Sequence, residues 1–159
     1  MERSTPTTDP SPEGVLHVQD SGGDLLATVV RASADPPGVT FITDTDASFQ
    51  LGLMNRPQGE HIVAHHHREQ IRTITDTQEV LVIRRGHLRA HFFDHSLSYV
   101  ASVDLHQGDV ALLQSGGHCF DVIDDVSLLE LKQGPFLPTE DKVRFNGEEK
   151  LPETLNLIS

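Results

Sequence analysis

From residue 79 to residue 131 the chain is cut into six runs of four to six largely aliphatic and β-branched residues, each closed by turn-forming residues. The runs cover 79–84, 88–93, 100–105, 110–113, 119–123 and 127–131. The breaks include Arg85-Gly86, Gln107-Gly108-Asp109, Ser115-Gly116-Gly117 and Asp124-Asp125. Runs this short suit strands, because a helix that buries a face needs ten or more residues with an apolar side chain every three or four. No window repeats that stripe over three turns. Closely spaced strands and turns predict an all-β sandwich or barrel and argue against βαβ units.

Further runs precede this block at 15–18, 25–32, 39–42, 49–54 and 62–64, separated by signals such as Ser21-Gly22-Gly23 and Pro36-Pro37-Gly38. Residues 1–13 are Ser, Thr, Pro and acids with almost no large apolar side chain, so they read as a disordered tail. The region 14–145 is expected to be one domain, since 159 residues bury a single core without staples. The remaining 146–159 form a tail with room for a short helix over 153–158, after Pro152.

Charge and special segments narrow the function. With 24 acids against 12 bases and a net charge of -12, nucleic acid is a poor partner, because phosphate binding needs clustered Lys and Arg. The acidity reads as a solubilising surface. Cys119 is the sole cysteine, so no intrachain disulfide forms. No basic-then-apolar leader opens the chain and no apolar run approaches 18 residues, which sets the expectation of a cytoplasmic protein away from membranes.

A metal constellation stands out among the ten histidines. Strand residues two apart share a face, so His65 and His67 project together while His66 points away as a bystander. Glu79 opens the next apolar run, and the eleven residues 68–78 between them are long enough to overhang the fold. His118 follows the Gly116-Gly117 turn and enters from a third strand. Three imidazole nitrogens and one carboxylate oxygen suit one divalent ion, Fe(II), Mn(II), Ni(II), Co(II) or Zn(II), with two octahedral positions left open. Cys119 faces away from His118 and reads as a small buried hydrophobe, while His17, His61, His87, His95 and His106 read as solvated.

Other polar groups are ambiguous. In 88–93, Arg89, His91 and Phe93 share one face and Leu88, Ala90 and Phe92 the other. If the polar face lines the interior, Arg89 and His91 are substrate-binding residues for an anionic group or for acid–base steps. The alternative, a solvated outer face, is preferred slightly. Glu130 and Lys132 read as a surface ion pair, and Arg68 and Arg72 as surface bases on the overhanging connection.

The spacing Gly59-x5-His65-x-His67-x11-Glu79-x6-Gly86 resembles the first motif of the cupin superfamily, and Gly108-x5-Gln114-Ser115-Gly116-Gly117-His118 resembles the second. The spacer before Glu79 is longer than usual, Gln114 stands where proline is common, and the later asparagine is absent. The resemblance covers approximately residues 15–145 and includes the segments 132–136 and 141–145, similar to small single-domain bacterial cupins. It implies a double-stranded β-helix (jelly-roll barrel), one metal ion inside each subunit and a homodimer. For function it favours an Fe(II)-type dioxygenase or oxidoreductase acting on a small metabolite or natural product. Two alternatives stay open: a Lewis-acid sugar isomerase, epimerase or lyase, and a non-catalytic metal- or carbohydrate-binding module.

Overall fold

A computed structural model describes residues 11–137 and 139–159. Within them the chain is all-β. Its strands are β1 (Val15–Gln19), β2 (Leu25–Val30), β3 (Val39–Phe41), β4 (Gly52–Met54), β5 (Glu79–Arg85) and β6 (His87–Phe93), followed by β7 (Tyr99–His106), β8 (Val110–Leu113), β9 (Gly117–Val122), β10 (Ser127–Lys132) and β11 (Leu157–Ile158). Helix among the described residues is one 3-10 turn, Glu148–Lys150. No helix of the described residues is long and apolar enough to cross a membrane.

A five-stranded sheet has the order β1-β2-β8-β5-β10, and a four-stranded sheet the order β11-β7-β6-β9. Among the described residues, strands β3 and β4 pair only with each other. Alternation sets the core. Ala27, Val29, Leu81, Ile83, Ala111 and Leu113 point inward from the first sheet and meet Leu88, Ala90, Phe92, Ala101, Val103 and Leu105 from the second. Each large aliphatic or aromatic side chain withdrawn this way contributes about 1.5–3 kcal/mol.

Two glycines hold the crossings between the sheets that matter for the site. Gly86 turns β5 into β6 at φ +88°, and a Cβ there would overlap the Asp125 carbonyl. Gly116, at φ +67°, lies so close to β6 that a Cβ would strike the Phe93 carbonyl oxygen. Both positions need the left-handed backbone that glycine adopts without strain.

The strands from β5 to β10 fall within a residue or two of their predicted places. Three expectations differ. The run at 62–64 forms no strand, and no strand lies between Met54 and Glu79. That segment is largely exposed and has no neighbouring strand among the described residues, so its backbone gains nothing from extended pairing. The short helix expected over 153–158 is replaced by β11, which runs parallel to β7 with Leu157 opposite Ser102 and Ile158 opposite Val103. Asn156 secures it by donating from Nδ2 to the Val100 carbonyl at 3.2 Å and from its backbone N–H to Tyr99 Oη at 3.0 Å. The end of the chain is therefore integral to the second sheet. The tail expected over residues 1–13 lies, for residues 1–10, outside the described residues.

The third difference concerns closure. The two sheets share a core, but among the described residues they do not close into a barrel. Strands β9 and β10 are sheet edges with no further partner on one side. Their side chains stay open to solvent, with Val122 62% and Leu129 51% exposed.

Candidate functional site

Glu79 is the first residue of β5, two before Leu81 and four before Ile83, so its carboxylate points to the same inner face as that apolar pair. His118 sits on β9 directly opposite Phe92, whose ring is fully buried, so the imidazole also points between the sheets. From these positions, 39 residues apart in sequence, Glu79 Oε2 and His118 Nε2 come to 3.3 Å. The hydrogen bond from His118 is the main reason the Glu79 carboxyl titrates below its ordinary value; burial opposes it, and the positive charges of Lys142 and Lys132 add to the lowering.

Lys132 completes the floor. It ends β10 opposite Glu79 in register, and its Nζ lies 3.9 Å from Glu79 Oε1 and 3.4 Å from Asp141 Oδ2. The ammonium also sits 5.0 Å above the Phe136 ring. Asp141 accepts in addition from the Leu137 backbone N–H at 3.2 Å. A cleft of about 490 Å³ opens over this group, walled by Phe120 and Phe145 and bordered by Lys142 and Arg144. A polar chain reaches its rim from the far side of the first sheet. His17 Nδ1 and Thr28 Oγ1 are 3.1 Å apart, and Thr28 donates to Gln114 Oε1 at 2.7 Å.

The other two expected ligands are placed differently. His65 and His67 lie on the exposed irregular segment between β4 and β5, their rings edge-on at 5.5 Å, with His65 Nδ1 3.0 Å from the Val63 carbonyl. His66 is exposed beside them. No group of three or more His, Cys, Asp or Glu side chains is gathered for an ion among the described residues. The fit to a divalent ion is therefore tested on the pair alone. Two donors that share one such ion at about 2.1 Å each sit about 3.0–3.4 Å apart, and one nitrogen with one oxygen is an ordinary donor set. The Glu79–His118 spacing fits.

Arg89 and His91 project from the face of β6 opposite Leu88, Ala90 and Phe92, and so away from the cleft. Arg89 forks onto Asp104, Nε to Oδ1 at 2.6 Å and Nη2 to Oδ2 at 2.9 Å. With His87 Nε2 also 3.2 Å away, Asp104 is held down at about 2, the Arg89 hydrogen bond being the largest cause. His91 is not solvated but fully buried. Its Nδ1 lies 2.7 Å from Ser102 Oγ and its Nε2 3.0 Å from Asp121 Oδ2, while Tyr99 Oη lies 2.8 Å from Ser102 Oγ. One donor order satisfies all of them: Asn156 N–H to Tyr99, Tyr99 to Ser102, Ser102 to His91, His91 to Asp121. That chain fastens the end of the protein to the second sheet. His87 and His106, expected in solvent, stack at 4.4 Å. Cys119 lies half-buried on this same outer face, as its position beside His118 predicts, and burial pushes its thiol up.

Residue-by-residue reading missed Lys132, Asp141, Lys142 and Arg144. Lys132 was readable only through register, because it faces Glu79 rather than Glu130. The run 141–145 returns to the cleft by tertiary packing that no local pattern encodes. Comparison with family models, with curated proteins and with solved structures finds no match for this chain.

Proposed function

We propose that the protein is a cupin-type metalloenzyme whose substrate, a small molecule, enters the cleft over Glu79 and His118. The observation that carries the reading is the meeting of these two side chains at 3.3 Å from separate sheets, at the positions where the sequence pattern asks for two ligands of one ion. Glu79 and His118 hold the ion with His65 and His67, which complete the set when residues 61–67 add to the free edge of β9. Two features support that addition. Among the described residues β9 ends its sheet without a partner on that side, and Ile62 and Val63 are 58% and 75% exposed, as Val122 of β9 is at 62%. Pairing at the β9 edge extends the second sheet toward the jelly-roll closure that the sequence resemblance implies.

When bound, a divalent ion supplies Lewis acidity and, as Fe(II), a place for dioxygen beside the substrate, the favoured chemistry. The protein's own groups do the rest. The His118 hydrogen bond does most to keep Glu79 in the carboxylate form, and Lys142 and Lys132 add to it, with Lys132 Nζ 3.9 Å from Oε1. Phe120 and Phe145 wall the cleft with apolar surface and exclude water from the bound molecule.

Elemental analysis of protein purified without added metal tests the reading. The wild type is expected to carry about one ion per chain, His118→Ala and His67→Ala to lose most of it, and His66→Ala to keep it. Full occupancy in His67→Ala contradicts the ligand set. Oxygen uptake by the Fe(II)-loaded protein with a panel of small substrates separates oxygenation from Lewis-acid chemistry and from binding alone.

A further inference from the structure

We propose that Lys142 and Arg144 form an anion-binding subsite beside the Glu79–His118 pair, so that the small molecule taken by this cleft carries a carboxylate or phosphate group. The inference rests on the cleft being the binding site proposed above, and it holds with or without the ion.

The charges in the cleft do not balance locally. Its two acids, Glu79 and Asp141, are both engaged by Lys132, and Glu79 by His118 as well. Lys142 and Arg144 line the same cleft, and neither has an acidic partner within ion-pair distance among the described residues. In a chain with 24 acids and 12 bases, a surface base has acids as its statistical neighbours. With Lys132 set against Glu79 and Asp141, three bases face two acids, and a bound anion neutralises that excess of one positive charge.

The segment that carries them is anchored at both ends. At one end Asp141 is held by Lys132 and by the Leu137 N–H. At the other, the Phe145 ring packs edge-on to Phe93 at 5.2 Å and lies against Gly117, where an added Cβ would meet it at 2.8 Å. Between these anchors Val143 is 93% exposed and lines the cleft with the two bases. A short span pinned twice holds its cationic side chains near one place before a ligand arrives, which lowers the ordering cost of binding. The Arg144 fork matches two oxygens of a carboxylate or phosphate, and Lys142 adds a point charge.

The test is titration calorimetry of the full chain, as purified and after chelator treatment, with inorganic phosphate and separately with succinate. Wild type is expected to bind at least one of the two with a Kd of about 1 mM or tighter. The double variant Lys142→Gln/Arg144→Gln should bind about tenfold or more weakly while keeping its metal content and its circular dichroism. The double variant Arg84→Gln/Arg85→Gln removes the same charge from two exposed bases that do not line this cleft, and should bind as wild type does. The anion that binds more tightly identifies the group, phosphate or carboxylate. Binding that survives chelator treatment supports the subsite even if no metal is found, which separates its fate from that of the metal reading. Equal weakening in both double variants, or no heat from either anion up to about 50 mM, overturns it.

Discussion

Replacing Asp109 by alanine should remove a large share of the stability of the fold. Asp109 is 4% exposed and sits where four strands meet. Its Oδ1 accepts from the Ala32 backbone N–H at 2.9 Å, beyond the end of β2. Its Oδ2 accepts from Arg31 Nη1 at 3.0 Å and from the His106 N–H at 3.0 Å, at the end of β7. Its own backbone carbonyl takes the Ile83 N–H of β5 at 3.0 Å, and β8 begins at the next residue. A hydrogen bond to a charged group contributes about 1.5–3 kcal/mol, and breaking a buried ion pair costs about 3–5 kcal/mol in all. Arg31 keeps some access to water, its side chain being 20% exposed, so its share belongs at the low end. Taken as one buried ion pair rather than as three additive bonds, the loss is about 3–4 kcal/mol.

Against a typical total of about 5–15 kcal/mol, that loss is visible in equilibrium unfolding. At a urea dependence of about 2 kcal/mol per molar, the midpoint falls by about 1.5–2 M. Far-ultraviolet circular dichroism is the appropriate probe, because the chain has no tryptophan and one tyrosine. Asp109→Asn keeps an oxygen for Ala32 but turns an amide donor toward Arg31 or His106, so it should fall between alanine and wild type. Asp124→Ala, at an exposed turn, should move the midpoint by no more than about 0.3 M. A shift below about 0.5 M in Asp109→Ala would refute the view that this carboxylate ties the strands together.

Acid titration should show the Arg89–Asp104 fork. Asp104 has a folded value of about 2 against an ordinary 3.8, so its stabilisation is full above about pH 4 and is lost as the pH falls toward 2. After allowance for its partial exposure the effect is about 1–2 kcal/mol, and Asp104→Asn should flatten the stability profile over that window while leaving the neutral-pH midpoint lower; an unchanged acid slope in the variant counts against the assignment. Gly86→Ala should lose about 2 kcal/mol or more in thermal unfolding, because φ +88° and the Asp125 carbonyl both oppose a Cβ. Gly23→Ala, at φ +91° with nothing within 4 Å, should lose only about 1 kcal/mol, and equal losses at the two glycines would show that the close approach costs nothing.

What could be read along the chain follows from how each element is stabilised. Strand β5 crosses at Gly86 into the second sheet, and β6 and β7 form a hairpin with His87 opposite His106 and Leu88 opposite Leu105, so their alternation and their turns lie within a short window of sequence. Glu79 inherits its inward direction from that alternation, and His118 inherits its own from the close passage of Gly116 under Phe93. Both were legible for that reason. The register of β10 on β5, which puts Lys132 rather than Glu130 beside Glu79, depends on a bulge between Ser127 and Leu128 that no residue type announces.

The segment carrying His65 and His67 marks the opposite limit. Its alternation is that of a strand, but alternation specifies a strand only when a neighbour supplies hydrogen bonds and one face is covered. Those residues stand exposed while β9 lacks a partner on one edge. Pattern and surroundings conflict at the one place where the proposed chemistry requires them to agree. Such conflicts concentrate at functional sites, where folding stability is traded for access. An ion bridging the fixed pair to the two loop histidines would supply from coordination what pairing does not. Metal loading should then raise amide protection across 61–67 as well as at β9, and protection confined to β9 would place the two histidines outside the site.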